Sequence, residues 1–211
     1  MDEIKNIESE IKGNSIELNS LKKDKTVLVV IDMVNGFTYN GALSSTRVAK
    51  MAENIVQLNE KTEGYKKIFF LDSHVENSQE FVSFPKHCIK DTDEALLIPE
   101  LIKFTKEYNS ICIEKNSTNG FFAKGFQNWL ENNIENIDNY IITGCVTDIC
   151  VLQFALSLKA YFNEHNKNKR LIIPINTVDT YDGGSHNAYL MNLFALYNMQ
   201  TSGIEVVEKI N

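Results

Sequence analysis

The polar residues that close the apolar runs of this chain are few and chemically pointed: Asp32, Asp72, His74, Lys115 and Cys150. The thiol is the most informative of them. It lies in the run Ile141-Ile142-Thr143-Gly144-Cys145-Val146-Thr147-Asp148-Ile149-Cys150-Val151. An apolar, β-prone stretch leads up to Gly144, and an apolar helical pattern follows Thr147. The spacing therefore predicts Cys150 in the first turn of a helix that leaves a strand end. Unpaired backbone N–H groups and the positive end of the helix dipole face that turn. Those are conditions that lower a thiol pKa and make a nucleophile.

The elements that must position these groups alternate along the chain. Residues 26–32, 67–72, 110–114, 139–143 and 170–175 read as strands, the first two as strands buried on both faces. Residues 48–58, 96–108, 121–133 and 185–199 carry helical patterns, as does the stretch after Thr147, and 203–207 reads as an edge strand. The polar stretch 73–94, with Pro85, reads as a long loop, and a loop of that length in a compact fold is usually functional. This order predicts an α/β fold: a three-layer α/β/α sandwich around a mainly parallel, doubly wound sheet. In such sheets ligands bind beyond the carboxyl ends of the strands. One acid, one metal-like pair, one lysine and one thiol converge there. Residues 1–24 are expected to form an N-terminal helical extension, with Ile4, Ile7 and Ile11 on one face and an end near Gly13-Asn14. Residues 25–211 form a single domain in this reading.

Composition narrows the class. The 211 residues are 43% apolar and 23% charged, with a net charge of −7. A nucleic-acid binder would carry a basic face, so no nucleic-acid partner is expected. No stretch is long and apolar enough to cross a bilayer, so no membrane partner is expected either. The acidic opening Met1-Asp2-Glu3-Ile4-Lys5 lacks an apolar signal core. Four cysteines without paired spacing fit a reducing, cytoplasmic setting. A homo-oligomer is compatible with this composition.

Five motifs in order identify a resemblance. They are Val30-Ile31-Asp32-Met33-Val34-Asn35-Gly36-Phe37, Asp72-Ser73-His74, Phe84-Pro85-Lys86-His87-Cys88, Lys115, and Gly144 through Val151. Together they resemble the isochorismatase-like cysteine hydrolases, and within them the nicotinamidase branch, over roughly residues 25–205. The resemblance implies a catalytic triad of Asp32, Lys115 and Cys150. Asp32 would take the thiol proton and pass it to the leaving nitrogen, and Lys115 would stay cationic between the two. It also implies a non-proline cis peptide at Cys145–Val146, with the N–H groups of Val146 and Cys150 receiving the oxyanion. A divalent metal would be held by Asp72, His74 and His87, with Glu80 as a fourth ligand and Glu76 as its alternative. Zinc is the leading expectation, with iron and manganese also suited to oxygen and imidazole ligands. Phe37 and Phe84, with Phe121 or Phe122, would wall the pocket. The chain departs from the branch at Lys86, where a proline is common, and at Asn116-Ser117-Thr118-Asn119-Gly120-Phe121 after the lysine.

The activity so implied is hydrolysis of a small-molecule amide, nicotinamide to nicotinate and ammonia, in NAD salvage. The alternatives are another small amide or carbamoyl compound and, in a different class, a non-enzymatic metal- or redox-responsive binding protein. The last predicts a thiol near the free value of ~8.5. Other polar residues have plainer expectations. Cys112 should be buried in its strand, Cys88 a packed neighbour of His87, and Cys145 structural. His165 and His186 should lie on the surface, and Asp148 should cap or charge its helix. Asp179 and Asp182 read as turn residues beside Gly183-Gly184.

Overall fold

The runs of Val, Ile and Phe at 26–31 and 66–72 cannot expose either face, and the fold covers both. A computed structural model describes residues 2–11 and 14–211. Its sheet contains β1 (Thr26–Ile31), β2 (Lys66–Asp72), β3 (Ser110–Lys115), β4 (Asn139–Cys145), β5 (Arg170–Pro174), β6 (Val178–Asp179) and β7 (Glu205–Val207). The order is β3-β2-β1-β4-β5-β7, β6 pairs with β4 beyond β5, and every pairing is parallel. The chain winds outward in one direction from β1 to β3 and in the other from β4 to β7. The switch point between β1 and β4 is where such a sheet opens a crevice for a ligand.

Alternation along each strand sends one set of side chains to each face. Val27, Val29, Ile31, Ile68 and Phe70 pack with α5 (Lys124–Asn133), α6 (Leu152–Glu164) and α7 (Ala188–Thr201). Leu28, Val30 and Phe69 pack with α2 (Asn35–Thr38), α3 (Thr46–Lys61) and α4 (Pro99–Thr105). The result is the expected three-layer α/β/α sandwich. Helix α6 buries Phe154, Leu158 and Phe162 completely, and each such side chain contributes ~1.5–3 kcal/mol. Helix α1 (Asp2–Ile11) lies on α7, buries Ile11 and leaves Ile4 exposed. Lys12 and Gly13, where that helix was expected to end, lie outside the described residues.

Several boundaries differ from the sequence expectation, each for a local reason. The helix expected at 96–108 is only Pro99–Thr105. Residue 97 bridges Val34 in an antiparallel pair, and Pro99 opens the helix at the position that needs no N–H. The helix expected from 121 starts at Lys124, because Gly120–Phe122 form a 3-10 turn. The last helix starts at Ala188, where the Asn187 side chain accepts from the N–H of Leu190. Strand β6 was not foreseen. Cys112 is exposed rather than buried, because β3 is the edge strand and its 112 and 114 positions face out.

Candidate active site

Strand pairing brings the charged residues together before any loop is considered. Asp72 and Lys115 are register partners at the ends of β2 and β3. Asp32 follows β1 in the left-handed region (φ 54°), and its N–H donates to the Phe70 carbonyl. Lys115 Nζ lies 2.6 Å from Asp72 Oδ1 and 2.8 Å from Asp32 Oδ2, and it donates to the Ser117 carbonyl at 3.0 Å. The Asp32 contact is an ion pair without regular hydrogen-bond angles. All three groups are buried. Burial works against the Lys115 charge, but Asp32 and Asp72 outweigh it and hold the ammonium well above its ordinary pKa. Burial also works against ionisation of Asp72. Lys115 and the histidines prevail, and its carboxyl is held far below the usual range. For Asp32 burial wins: Lys115 opposes it, Asp72 reinforces it, and the carboxyl is pushed up to about 7.

Glycine at 144 lets β4 come close enough to β1 to bring the thiol to this cluster. Gly144 has φ +112°, and a Cβ there would sit 2.0 Å from the Ile31 carbonyl oxygen. The Cys145–Val146 peptide is cis, and the Cys145 thiol donates to the Asp32 carbonyl at 3.1 Å. The turn that follows, Thr147–Val151, is π-helical and runs directly into α6. Single π turns of this kind are frequent at functional sites. Cys150 lies on it, 6% exposed, with its thiol within the electrostatic reach of the Asp32 carboxyl and the Lys115 ammonium. The dipole-based expectation of a depressed thiol pKa does not hold. Burial pushes the thiol well above its ordinary value, and Asp32 and Asp72 raise it further against the pull of Lys115. The resting group is a thiol beside a base.

A second cluster abuts the first through Asp72. Its other oxygen, Oδ2, lies 2.9 Å from His74 Nε2 and 3.1 Å from His87 Nε2. Glu80 Oε1 stands 3.5 Å and 3.8 Å from the same two nitrogens. The four donor atoms lie within 4.8 Å of one another. Ligands held ~2.1 Å from one ion in a tetrahedron stand ~3.4 Å apart, so the set fits a divalent metal. The outer sides of the rings are also held. His87 Nδ1 donates to the Pro85 carbonyl at 2.7 Å, which leaves Nε2 turned toward the cluster. The N–H of Val75 donates to Asn116 Oδ1 at 3.0 Å, and that oxygen faces His74 Nδ1 at 3.3 Å. Glu80 Oε2 accepts the N–H of Thr118 at 2.8 Å. Glu76 instead pairs with Lys86 on the surface. Cys88 is buried with its thiol turned to the Glu94 carbonyl, not to the cluster.

Both clusters open into one cavity of about 470 Å³. Phe37, Phe84, Asp72, Glu80, His87, Val146, Ile149 and Cys150 line it. Phe121 and Phe122, expected as walls, do not border it. Phe121 packs on Phe126 and Tyr161, and Phe122 points to solvent. Sequence reasoning also missed Phe81, whose ring meets both histidines edge-on, and it marked the Asn116–Phe121 run only as a departure, not as the segment whose Asn116 and Thr118 hold His74 and Glu80 from outside. No helical or strand period marks these loop positions. Asp148 makes no capping hydrogen bond but does stand as the acidic residue of the first turn, the charging half of the expectation. It meets His186, which is half-buried rather than on the surface.

This fold and this cluster of strand-end groups define a hydrolase class. The chain belongs to the isochorismatase domain family, whose pattern matches residues 26–205. Among individual relatives, Nicotinamidase 1 of Arabidopsis thaliana is 28% identical over 226 aligned positions, covering 90% of this chain and 89% of that protein. The crystal structure of the Bacillus subtilis nicotinamidase superposes with a TM-score of 0.71 at 25% identity, covering 89% of this chain and 99% of that one. The Pyrococcus horikoshii pyrazinamidase in complex with zinc gives 0.70 at 21%, covering 88% and 99%. The protein is therefore an isochorismatase-family hydrolase related to nicotinamidases, a family acting on small molecules.

Proposed function

We propose that the protein is a metal-dependent cysteine amidohydrolase that converts nicotinamide and water to nicotinate and ammonia. The observation that carries this reading is the shared Asp72 carboxylate. One oxygen meets Lys115 beside Asp32 and Cys150, and the other meets the histidine pair. A divalent ion, zinc first and iron or manganese next, would be held by Asp72, His74, His87 and Glu80 and would anchor the pyridine nitrogen of the substrate.

The reaction begins with proton transfer from the Cys150 thiol to Asp32. Sγ attacks the amide carbon, and the carbonyl oxygen takes the negative charge beside the N–H groups of Val146 and Cys150. Protonated Asp32 then gives its proton to the nitrogen, the C–N bond breaks, and ammonia leaves a thioester on Cys150. Water attacks the thioester with Asp32 as base, and the carboxylic acid and free thiol are released. Lys115 remains cationic throughout and limits the cost of the paired negative charges.

Cys150→Ala is expected to abolish ammonia release from nicotinamide, and Chelex-treated protein is expected to lose activity that zinc or manganese restores. Ammonia release retained by Cys150→Ala would sink the reading. The volume of the cavity supports a second reading. Nicotinamide has nine non-hydrogen atoms, which at no more than ~30 Å³ each fill at most about 270 Å³. A larger amide or carbamoyl compound also fits the 470 Å³ available, and a panel of such amides compared by kcat/KM decides between them.

A further inference from the structure

The far wall of the cavity comes from a segment to which the proposed reaction gives no task. Tyr181 and Asp182 line it together with Phe37, Phe84 and Cys150. The Tyr181 ring stacks on His186, with centroids 3.8 Å apart and planes 13° from parallel. His186 Nδ1 donates to the carbonyl of Tyr181 itself at 3.0 Å, and Nε2 lies 2.8 Å from Asp148 Oδ2. Asp148 belongs to the π-helical turn that carries Cys150, two residues before the thiol. Its side chain is 5% exposed, and its other oxygen is buried with no hydrogen-bond partner among the described residues.

A buried carboxylate–imidazole pair is weak evidence of stabilisation, and its best-attested use is to fix a register. Here it joins a loop 38 residues away to the nucleophile's own turn. The other end of the segment is tied as well. Arg47, at the start of α3, donates through Nε to the Thr180 carbonyl at 3.1 Å and through Nη2 to Asp179 Oδ1 at 2.8 Å. Between the ties, Gly183 and His186 exchange backbone hydrogen bonds and Asp182 Oδ1 accepts the N–H of Ala188, while nothing lies within 4 Å of where a side chain at Gly183 or Gly184 would begin. The Tyr181 ring itself is backed by His186, whose Nε2 links it to Asp148.

We propose that Tyr181 is a specificity-determining wall of the pocket, and that His186 and Asp148 are positioning residues that hold it in the cavity that Cys150 also lines. The wall limits the bulk of the group carried by the scissile carbonyl. The kinetic consequence rests on the amidase reading, but access to the thiol does not, so the test uses both. Cys150 is alkylated with iodoacetamide and with a bulky N-aryl iodoacetamide, and labelling at that residue is followed by peptide mass mapping.

Tyr181→Ala is expected to raise the bulky-to-small rate ratio about tenfold, the scale of selectivity a single apolar pocket contact provides. His186→Ala and Asp148→Ala should do the same. The Tyr181→Ala/His186→Ala double variant should exceed neither single variant, since both act on one wall. Asp148→Asn, which still accepts from His186, should restore the wild-type ratio. In kinetics, the Tyr181 and His186 variants should lose more in KM than in kcat for nicotinamide and gain activity on larger amides. Thermal melts check folding, and His186→Gln replaces His186→Ala if the latter does not fold. An unchanged ratio in Tyr181→Ala overturns the proposal, and so do multiplicative effects of the two substitutions. Wild-type protein that hydrolyses no amide yet shows the expected alkylation pattern refutes the amidase reading and supports the wall.

Discussion

Replacing the buried base by its neutral isostere, Asp32→Asn, is expected to stabilise the protein while removing its activity, and the gain grows with pH. Asp32 is fully buried. Burial, partly offset by Lys115 and reinforced by Asp72, carries its carboxyl from 3.8 to about 7. In the unfolded chain the same group ionises near its ordinary value. Between these two values the folded protein keeps a proton that the unfolded chain has released. Stability therefore falls as pH rises through that window and levels off above it. The window is roughly three pH units wide, so at ~1.4 kcal/mol per unit the ionised aspartate costs ~4 kcal/mol above pH ~7. The attraction to Lys115 is already inside that figure, because it is one of the causes of the net shift.

The asparagine side chain keeps the shape of the protonated acid and cannot ionise. Its advantage over wild type is therefore ~2 kcal/mol at pH ~5.5 and ~4 kcal/mol at pH ~8.5. For a chain of this size each kcal/mol moves Tm by ~2–4 °C, so the gain is about 10 °C at the higher pH and about half that at the lower. Thermal unfolding followed by circular dichroism at the two pH values measures it, with a chelator present so that metal ligation contributes to neither protein. A variant no more stable than wild type at pH ~8.5, or a gain of equal size at both, refutes the reasoning.

The same shift sets the pH–rate profile: kcat/KM at saturating zinc should fall tenfold per pH unit below about 7, as Asp32 takes up its proton. A flat profile down to pH ~5.5 would remove Asp32 as the base. Asn116→Ala, which frees the His74 ring at Nδ1, should weaken zinc binding by ~10–100-fold in competition with a chromophoric chelator. An unchanged affinity there would show that Asn116 does not support the ligand. Gly144→Ala places a methyl group on the Ile31 backbone in a left-handed conformation, so it should cost more than ~3 kcal/mol in urea unfolding. A wild-type midpoint would mean that the β1–β4 contact relaxes easily.

What could be read from the sequence and what could not divide along the range of the interactions. Strands buried on both faces advertise themselves as unbroken apolar runs, and the first charged residue after each run has nowhere to go but the sheet end. That is why Asp32 and Asp72 were legible; Lys115 closes the half-exposed edge strand β3 one residue after Glu114, and register brings it beside Asp72. Phe121 and Phe122 were misplaced because a 3-10 turn at Gly120–Phe122 turns one ring into the core and the other to solvent. Asn116, Thr118, Tyr181 and His186 make their contacts from loop positions, through isolated hydrogen bonds and one ring stack, which leave no period in the chain.

The thiol shows the limit most sharply. The helix-end rule concerns the first turn alone, whereas the pKa of Cys150 is decided by full burial and by two carboxylates from other strands. Those outweigh the dipole, so Cys150 does not wait as a thiolate. In the proposed reaction its proton leaves in the same encounter that brings the amide carbon to Sγ, and the acceptor is Asp32, whose carboxyl burial pushes up to about 7. On that proposal a site that held the thiol ionised would need only Lys115, whereas this one also needs the carboxyl of Asp32 beside the lysine.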